Sequence, residues 1–141
     1  MINVFFIICH MRKYLFLLIC FFTTTLSAQY TNSNIRTNYV TTSKMIWNYQ
    51  TEKWDFTSNN NLEDFVTDWT FNVNSSNQGM VSNGTVNYDI LEYNYIDETM
   101  VMLKLYNVKV SRKMDMIVSK KDGKFVISIF DYNQRTAYYF L

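Results

Sequence analysis

The chain has 141 residues, a length that fits one domain, and its 13 Lys and Arg against 12 Asp and Glu give a net charge of +1. This near-neutral balance without a basic run argues against nucleic-acid binding, which needs Lys and Arg clustered against phosphates. Aromatic residues make up 18% of the chain and proline is absent, a composition that suits β-structure.

Residues 1–28 have the layout of a secretory signal peptide. Arg12 and Lys13 form a basic start, and an apolar run of nine residues follows from Tyr14 to Phe22. A membrane-spanning helix needs roughly 20 apolar residues, and a longer helix reaching upstream would place both charges in hydrocarbon. We therefore expect the chain to keep no membrane anchor. A signal peptide opens with its charges, which favours Met11 as the true start, with Met1 as the alternative.

Small residues before Gln29 predict cleavage near Ala28, and this ending resembles bacterial export signals. The expected location is the periplasm or the exterior. Cleavage removes Cys9, Cys20 and His10, so the remaining chain contains no cysteine or histidine. This excludes disulfides, a cysteine nucleophile, a Ser-His-Asp triad and histidine-ligated zinc or haem. We expect no metal and no cofactor.

The mature chain divides into two predicted segments. Residues 29–43 are rich in Thr, Asn and Ser without an apolar period, which predicts a flexible lead-in. Residues 44–141 are dense in β-branched and aromatic residues and are predicted to form a single β-domain. Its first two strands are expected at Met45–Tyr49 and Lys53–Phe56, with a turn over residues 50–52.

The clearest strand pattern lies in residues 65–73. Side chains alternate there at period two, and Trp69 and Phe71 fall on the face that is predicted to be buried. Turns are then expected around residues 77–79 and at Asn83-Gly84, a strong hairpin dipeptide.

Two long strands, residues 85–95 and 99–108, are predicted to follow, joined across Asp97-Glu98. With that turn, Glu92 lies opposite Leu103 and shares a face with apolar side chains. A carboxylate inside a barrel would be a functional candidate, although a solvated face is the simpler interpretation.

The C-terminal third predicts its own strand register. Asp122-Gly123 is a two-residue hairpin turn, and Asn133-Gln134 is taken as the next turn. Counting from both turns places apolar residues opposite one another on one face, which a slip of one residue would reverse. The rows predicted to face the core are Met116–Ile129–Tyr138 and Val118–Ile127–Phe140.

About eight short strands without crossover helices predict an all-β, antiparallel up-and-down meander that forms a small closed or half-open barrel. A two-sheet β-sandwich is the alternative. Barrels of this size resemble the lipocalins, which implies binding of a small apolar ligand. The resemblance is architectural and covers residues 44–141. The lipocalin Gly-x-Trp signature is missing, because neither Trp47 nor Trp54 follows a glycine by two residues, and no binding residue is carried over.

The candidate ligand-binding residues are Trp47, Tyr49 and Trp54, around the first predicted turn, and Glu92. No catalytic residue is predicted, because solvated turn carboxylates close in sequence do not by themselves make a hydrolase pair. We therefore expect an exported, non-enzymatic barrel that binds a small apolar or aromatic ligand. The alternative is an interaction module that binds a protein or glycan through exposed aromatic residues or a strand edge.

Overall fold

A computed structural model describes residues 31–57 and 61–141, which form nine β-strands and no helix. The strands are β1 (Thr31–Asn48), β2 (Lys53–Phe56), β3 (Glu63–Val73), β4 (Gly79–Ser82), β5 (Asn87–Asp97), β6 (Met100–Asn107), β7 (Arg112–Lys121), β8 (Lys124–Asp131) and β9 (Thr136–Phe140). Within these two segments no helix has the length and apolarity that a membrane crossing needs. The predicted signal peptide lies outside the described residues.

Eight of the strands close into an antiparallel barrel. Strands β3 to β9 pair in chain order, and β1 pairs with β3 along one part of its length and with β9 along another. Val40 is the point of overlap, since it lies opposite both Glu63 of β3 and Phe140 of β9. The predicted meander and barrel are confirmed, and the sandwich alternative is wrong.

Strand β2 is the ninth strand and lies outside this ring. It pairs antiparallel with the end of β1, where Trp47 lies opposite Trp54 and Met45 opposite Phe56. The two strands predicted around residues 50–52 therefore exist, but the first of them is the end of a much longer strand.

The prediction of a flexible lead-in over residues 29–43 is wrong from residue 31 onward, because residues 31–43 belong to β1. Their side chains are mostly polar, and what holds them is backbone pairing to β3 and β9. Both edges of the strand are used near Tyr39, where a bulge interrupts the pairing with β3. The N–H groups of Asn38 and Tyr39 both donate to the Leu141 carbonyl, at 2.7 and 3.1 Å.

The hydrophobic core fills the middle of the barrel. It contains side chains from seven strands, and Trp69, Val81, Leu105, Met116 and Ile127 are fully buried. The predicted burial of Trp69 and Phe71 is confirmed. Burying a side chain of this size contributes about 1.5–3 kcal/mol relative to leaving it exposed, and the barrel has no disulfide among the described residues to add to this.

The predicted C-terminal register is confirmed. Val118 lies opposite Ile127, and Ile127 lies opposite Phe140; Met116, Ile129 and Tyr138 form the second row. Positive φ angles of 51° at Asp122 and 78° at Gly123 match a two-residue hairpin turn of type I′. The last turn keeps the predicted register but is longer, because β8 ends at Asp131 and β9 begins at Thr136.

The register predicted for Glu92, opposite Leu103, is wrong, and the simpler interpretation of a solvated face is confirmed. The β5–β6 turn lies one residue later than expected, with Asp97 opposite Met100, and bulges interrupt the pairing after Ile90 and after Tyr95. Each bulge adds one residue to β5 and reverses the facing of the residues beyond it. Glu92 therefore lies opposite Lys104 on the outside of the barrel, and Tyr93 takes the interior position opposite Leu103.

Candidate ligand-binding site

One end of the barrel opens into a cavity of about 700 Å³, a volume in the range of about 300–1,000 Å³ that is typical of small-molecule sites. Its lining residues come from six strands and the β3–β4 loop. They are Ser33, Asn34, Ile35, Phe71, Val73, Asn74, Ser75, Asn77, Tyr93, Val101, Leu103, Val118 and Phe125. All the apolar members except Phe125 are buried or half-buried, whereas most of the polar members are exposed at the mouth.

Strand alternation positions the apolar lining. Phe71, Leu103 and Val118 lie at interior-facing positions of β3, β6 and β7. Each is two residues away from a core residue of its own strand, and alternation puts both side chains on the same face. Phe71 and Leu103 are 8% and 2% exposed, so they form the floor, whereas Phe125 is 41% exposed and lies at the mouth. The cavity is thus the unfilled upper part of the barrel interior.

The β3–β4 loop forms a polar section of the rim and is internally hydrogen-bonded. The Asn74 side-chain Oδ1 accepts hydrogen bonds from the backbone N–H groups of Ser76 and Gln78, each at 2.9 Å. Gly79 follows at the start of β4, where a Cβ atom would collide with the backbone oxygen of Asn72. Glycine is therefore needed for β3 and β4 to approach closely beside the cavity.

A buried polar cluster closes the other end of the barrel. The Asp131 side chain is 3% exposed, and its Oδ2 lies 3.4 Å from Nη1 of Arg112. Its Oδ1 accepts the backbone N–H groups of Asn133 and Gln134, both at 3.0 Å. Every oxygen of this buried carboxylate therefore has a partner, as burial of a charge requires.

Two tyrosines complete this closed end. Burial, followed by the nearby Tyr138 and Asp131, raises the pKa of Tyr88. Burial and then Asp131 also raise the pKa of Tyr138, while Arg112 opposes that change. Both phenols therefore remain neutral at physiological pH, and the Tyr138 hydroxyl donates to Oε1 of Gln134 at 3.0 Å. The side chains of Asp131, Arg112 and Tyr138 at this end of the barrel are thus hydrogen-bonded, and their role is structural.

The structure brings together two of the four predicted site residues. The Trp47 and Trp54 rings meet edge to face, with centroids 5.3 Å apart, whereas Tyr49 is 86% exposed at the hairpin turn. Glu92 lies on the outer surface, where Oε2 is 2.8 Å from Nζ of Lys104. All four residues are in the described part of the chain, and none of them lines the cavity. A role for them in ligand binding stays a prediction.

Packing explains the position of Trp47 and Trp54. Trp54 contacts Tyr132, and Phe56 contacts Phe130, each pair with ring centroids 5.8 Å apart. These contacts fold the β1–β2 hairpin over the outer face of β8 and β9. Together Trp47, Trp54, Phe56, Phe130 and Tyr132 form an outer aromatic cluster. Met45 and Ala137 face away from the barrel interior, but they are only 2% and 0% exposed because this cluster covers them.

Sequence reasoning missed the residues that line the cavity, although part of the signal was present. The predicted pair Val118–Ile127 faces the interior, and the same alternation places Phe125 on that face, nearer the mouth. Tyr93 could not be found in this way, because its facing depends on the bulge after Ile90. Within the described residues, no group of three or more Asp, Glu, His or Cys is arranged to hold a metal ion.

The fold and the cavity define the class of protein: a small antiparallel barrel with one plugged end and one open, mainly apolar end. Comparison with protein-family models, curated proteins and solved structures finds no match to this chain. The geometry and chemistry of the cavity itself therefore indicate the function.

Proposed function

We propose that the protein is an exported, non-enzymatic barrel that binds a small apolar or aromatic ligand in its open cavity. The observation that carries the proposal is a cavity of about 700 Å³ with an apolar interior and a polar mouth. Small-molecule sites combine these two features, because the interior supplies affinity and the polar groups fix orientation.

The chemistry of the lining favours an uncharged, apolar ligand body. Of the described residues that line the cavity, none is Asp, Glu, Lys or Arg. Transfer of apolar ligand surface from water to such walls is favourable by about 25 cal/mol per Å² before the costs of association. Tyr93 and Phe125 add aromatic faces against which a ring or an aliphatic chain can pack.

The same lining supports a binding role over an enzymatic one. Its hydroxyl groups belong to Ser33, Ser75 and Tyr93, and no lining residue is a carboxylate, histidine or lysine that could act as a general base beside them. General acid–base catalysis needs such a group within hydrogen-bond distance of the reacting atom. Export is proposed from the signal-like layout of residues 1–28.

A neutral fluorescent probe, N-phenyl-1-naphthylamine, tests the proposal. Its fluorescence should rise on titration with the protein and should be unaffected by EDTA. Val118→Trp fills the cavity and should weaken binding about tenfold or more, since the large side chain occupies the ligand's volume. Val66→Trp is the matched control, because Val66 is 58% exposed on the outside of β3.

A second cavity-filling variant distinguishes loss of the binding site from loss of the fold. Val101→Phe enlarges a half-buried side chain at the cavity wall and should also weaken probe binding while leaving the circular dichroism spectrum unchanged. The proposal fails if the wild-type protein gives no saturable fluorescence increase. It also fails if folded Val118→Trp and Val101→Phe bind as tightly as Val66→Trp.

The β1–β2 hairpin supports a second candidate function, which is binding of a protein or glycan. Tyr49 and Ile46 are 86% and 55% exposed there, and β2 pairs with β1 alone among the described strands. An exposed aromatic residue beside a free strand edge suits either partner. Binding to a glycan array that is lost in Tyr49→Ala, by a wild-type protein that gives no saturable probe fluorescence, would favour this function over the first.

A further inference from the structure

We propose that the cavity takes an amphipathic anion, a molecule with an apolar body inside the barrel and a single negatively charged head at Lys120. This inference rests on the proposed ligand-binding function and adds the chemical class of the ligand. It is carried by the position of one lysine at the mouth of an otherwise uncharged cavity.

Strand register places Lys120 at the entrance. Lys120 lies opposite Phe125, two positions along from the interior pair Val118–Ile127. Side chains alternate along a strand, so Lys120 and Phe125 share the interior face of the hairpin. Phe125 lines the cavity at its mouth, and Lys120 therefore stands directly beside the opening.

Two contacts hold this lysine in place. Its Nζ lies 5.5 Å from the centroid of the Phe125 ring, a cation–π distance. Its backbone N–H donates to the carbonyl of Thr99 at 2.8 Å, which ties β7 to the β5–β6 turn. The backbone bond fixes the strand position of Lys120, and the cation–π contact places its ammonium group over the aromatic ring at the mouth.

The ammonium group is available to an anionic head. In residues 31–57 and 61–141 the ion pairs are made by Arg36, Lys104 and Arg112, and none involves Lys120. A ligand with a carboxylate at one end could bury its apolar part beneath Phe125 and pair its charge with Nζ in the solvent-accessible mouth.

Alternation also makes Lys120 distinctive among the charges near the mouth. Lys121 and Lys124 lie opposite each other in the neighbouring register position, so they face outward. Asp97 lies opposite Met100, on the outer face of β6. Among the described strand residues that face the open half of the barrel, Lys120 is the one charged residue. An anionic head is therefore favoured over a cationic one.

Three ligands of one chain length test this inference: dodecanoate, dodecanol and dodecylamine, each measured by displacement of N-phenyl-1-naphthylamine. Lys120→Met should weaken dodecanoate about two- to fivefold, the effect of one solvent-accessible ion pair, and should leave dodecanol unchanged. Lys120→Glu should weaken dodecanoate further and improve dodecylamine. Lys124→Met, on the outer face, is the matched control and should change none of the three.

Salt gives an independent measure, because solvent-accessible charges are screened. Raising the salt concentration from about 0.01 M to about 0.15 M should weaken dodecanoate in the wild type and have little effect in Lys120→Met. If dodecanol and dodecanoate bind but Lys120→Met affects both equally or neither, the anion assignment is overturned and the apolar cavity site stands. If no ligand and no probe binds, both proposals fall.

Discussion

The indole ring of Trp69 packs edge-on against the ring of Phe140, with centroids 5.0 Å apart and planes at 72°. The Trp69 Nε1–H donates to Oγ1 of Thr37 at 3.3 Å, and the Thr37 hydroxyl donates to the carbonyl of Thr67 at 3.4 Å. These residues belong to β1, β3 and β9, the strands whose pairing closes the barrel. Closure of the sheet and packing of the core therefore depend on the same contacts.

Phe140→Ala should be strongly destabilising for this reason. It removes the partner of Trp69 and leaves a cavity where β9 meets β1, at a cost of about 3–5 kcal/mol in the free energy of unfolding. Urea denaturation followed by circular dichroism measures the loss. Phe65→Ala is the control, because Phe65 also contacts Phe140 but is 49% exposed. Equal losses in the two variants would contradict this account of closure.

The β7–β8 hairpin allows a comparison of neighbouring side chains on opposite faces. Ile127 is fully buried, so Ile127→Ala should cost about 2–5 kcal/mol by leaving a cavity in the core. Ser128 is partly exposed on the outer face, and Ser128→Ala should change the free energy of unfolding by less than about 0.5 kcal/mol. Urea melts that rank these two variants the other way would reverse the assigned facing.

Gly123→Val tests the turn of the same hairpin. Gly123 has a φ of 78°, which a β-branched residue adopts only under strain. Because a Cβ there has open space around it, the expected loss of about 1–3 kcal/mol comes from the backbone alone. Gly123→Asn, which tolerates positive φ better, should recover most of the loss. A Val variant as stable as wild type would exclude the type I′ turn.

The sequence was sufficient for the hairpin and insufficient for β1, for physical reasons. Around Ile127, a strong turn dipeptide and alternating apolar residues agree on one register. In residues 31–43 the side chains are mostly polar, and the strand exists because its backbone pairs with β3 over residues 31–40 and with β9 over residues 40–44. Composition describes side chains and carries no information about that pairing.

The candidate site shows a different limit. Alternation predicts that Val118 faces inward, but whether the interior there is filled depends on the volumes and depths of side chains from several other strands. Counting from the turn put Glu92 opposite Leu103, because a bulge cannot be recognised from alternation when apolar and polar residues are mixed, as they are in β5. The cavity therefore became visible only with the three-dimensional arrangement.

Processing at the N-terminus is a prediction that lies outside the described residues. Protein recovered from the periplasm or the medium should begin at or near Gln29, and N-terminal sequencing or intact mass measures this directly. Ala28→Arg removes the small residue before the cleavage point and should leave the chain as a precursor. A membrane-bound form of the unaltered protein that still begins at Met11 would contradict removal of the signal.

Tyr132 should make stability depend on pH in the alkaline range. Burial, followed by the hydrogen bond from its hydroxyl to Oδ2 of Asp115 at 2.7 Å, raises the pKa of Tyr132 to about 12 from an ordinary value of 10.0. The folded protein thus holds this proton more tightly than the unfolded chain does. The resulting stabilisation is complete below about pH 10 and is lost progressively as the pH rises towards about 12.

Tyr132→Phe isolates this contribution, because it removes the hydroxyl and keeps the ring that contacts Trp54. At about pH 8 the variant should be less stable than wild type by about 1 kcal/mol, the usual net value of one hydrogen bond. Between about pH 10 and pH 12 the wild type should lose stability faster than the variant, so that the gap narrows. Tyr49→Phe, in a side chain that is 86% exposed, is the control and should follow the wild type throughout. Urea melts across this pH range measure the difference in free energy of unfolding between the wild type and Tyr132→Phe. If that difference stays constant or widens, the Tyr132–Asp115 hydrogen bond does not hold the proton in solution.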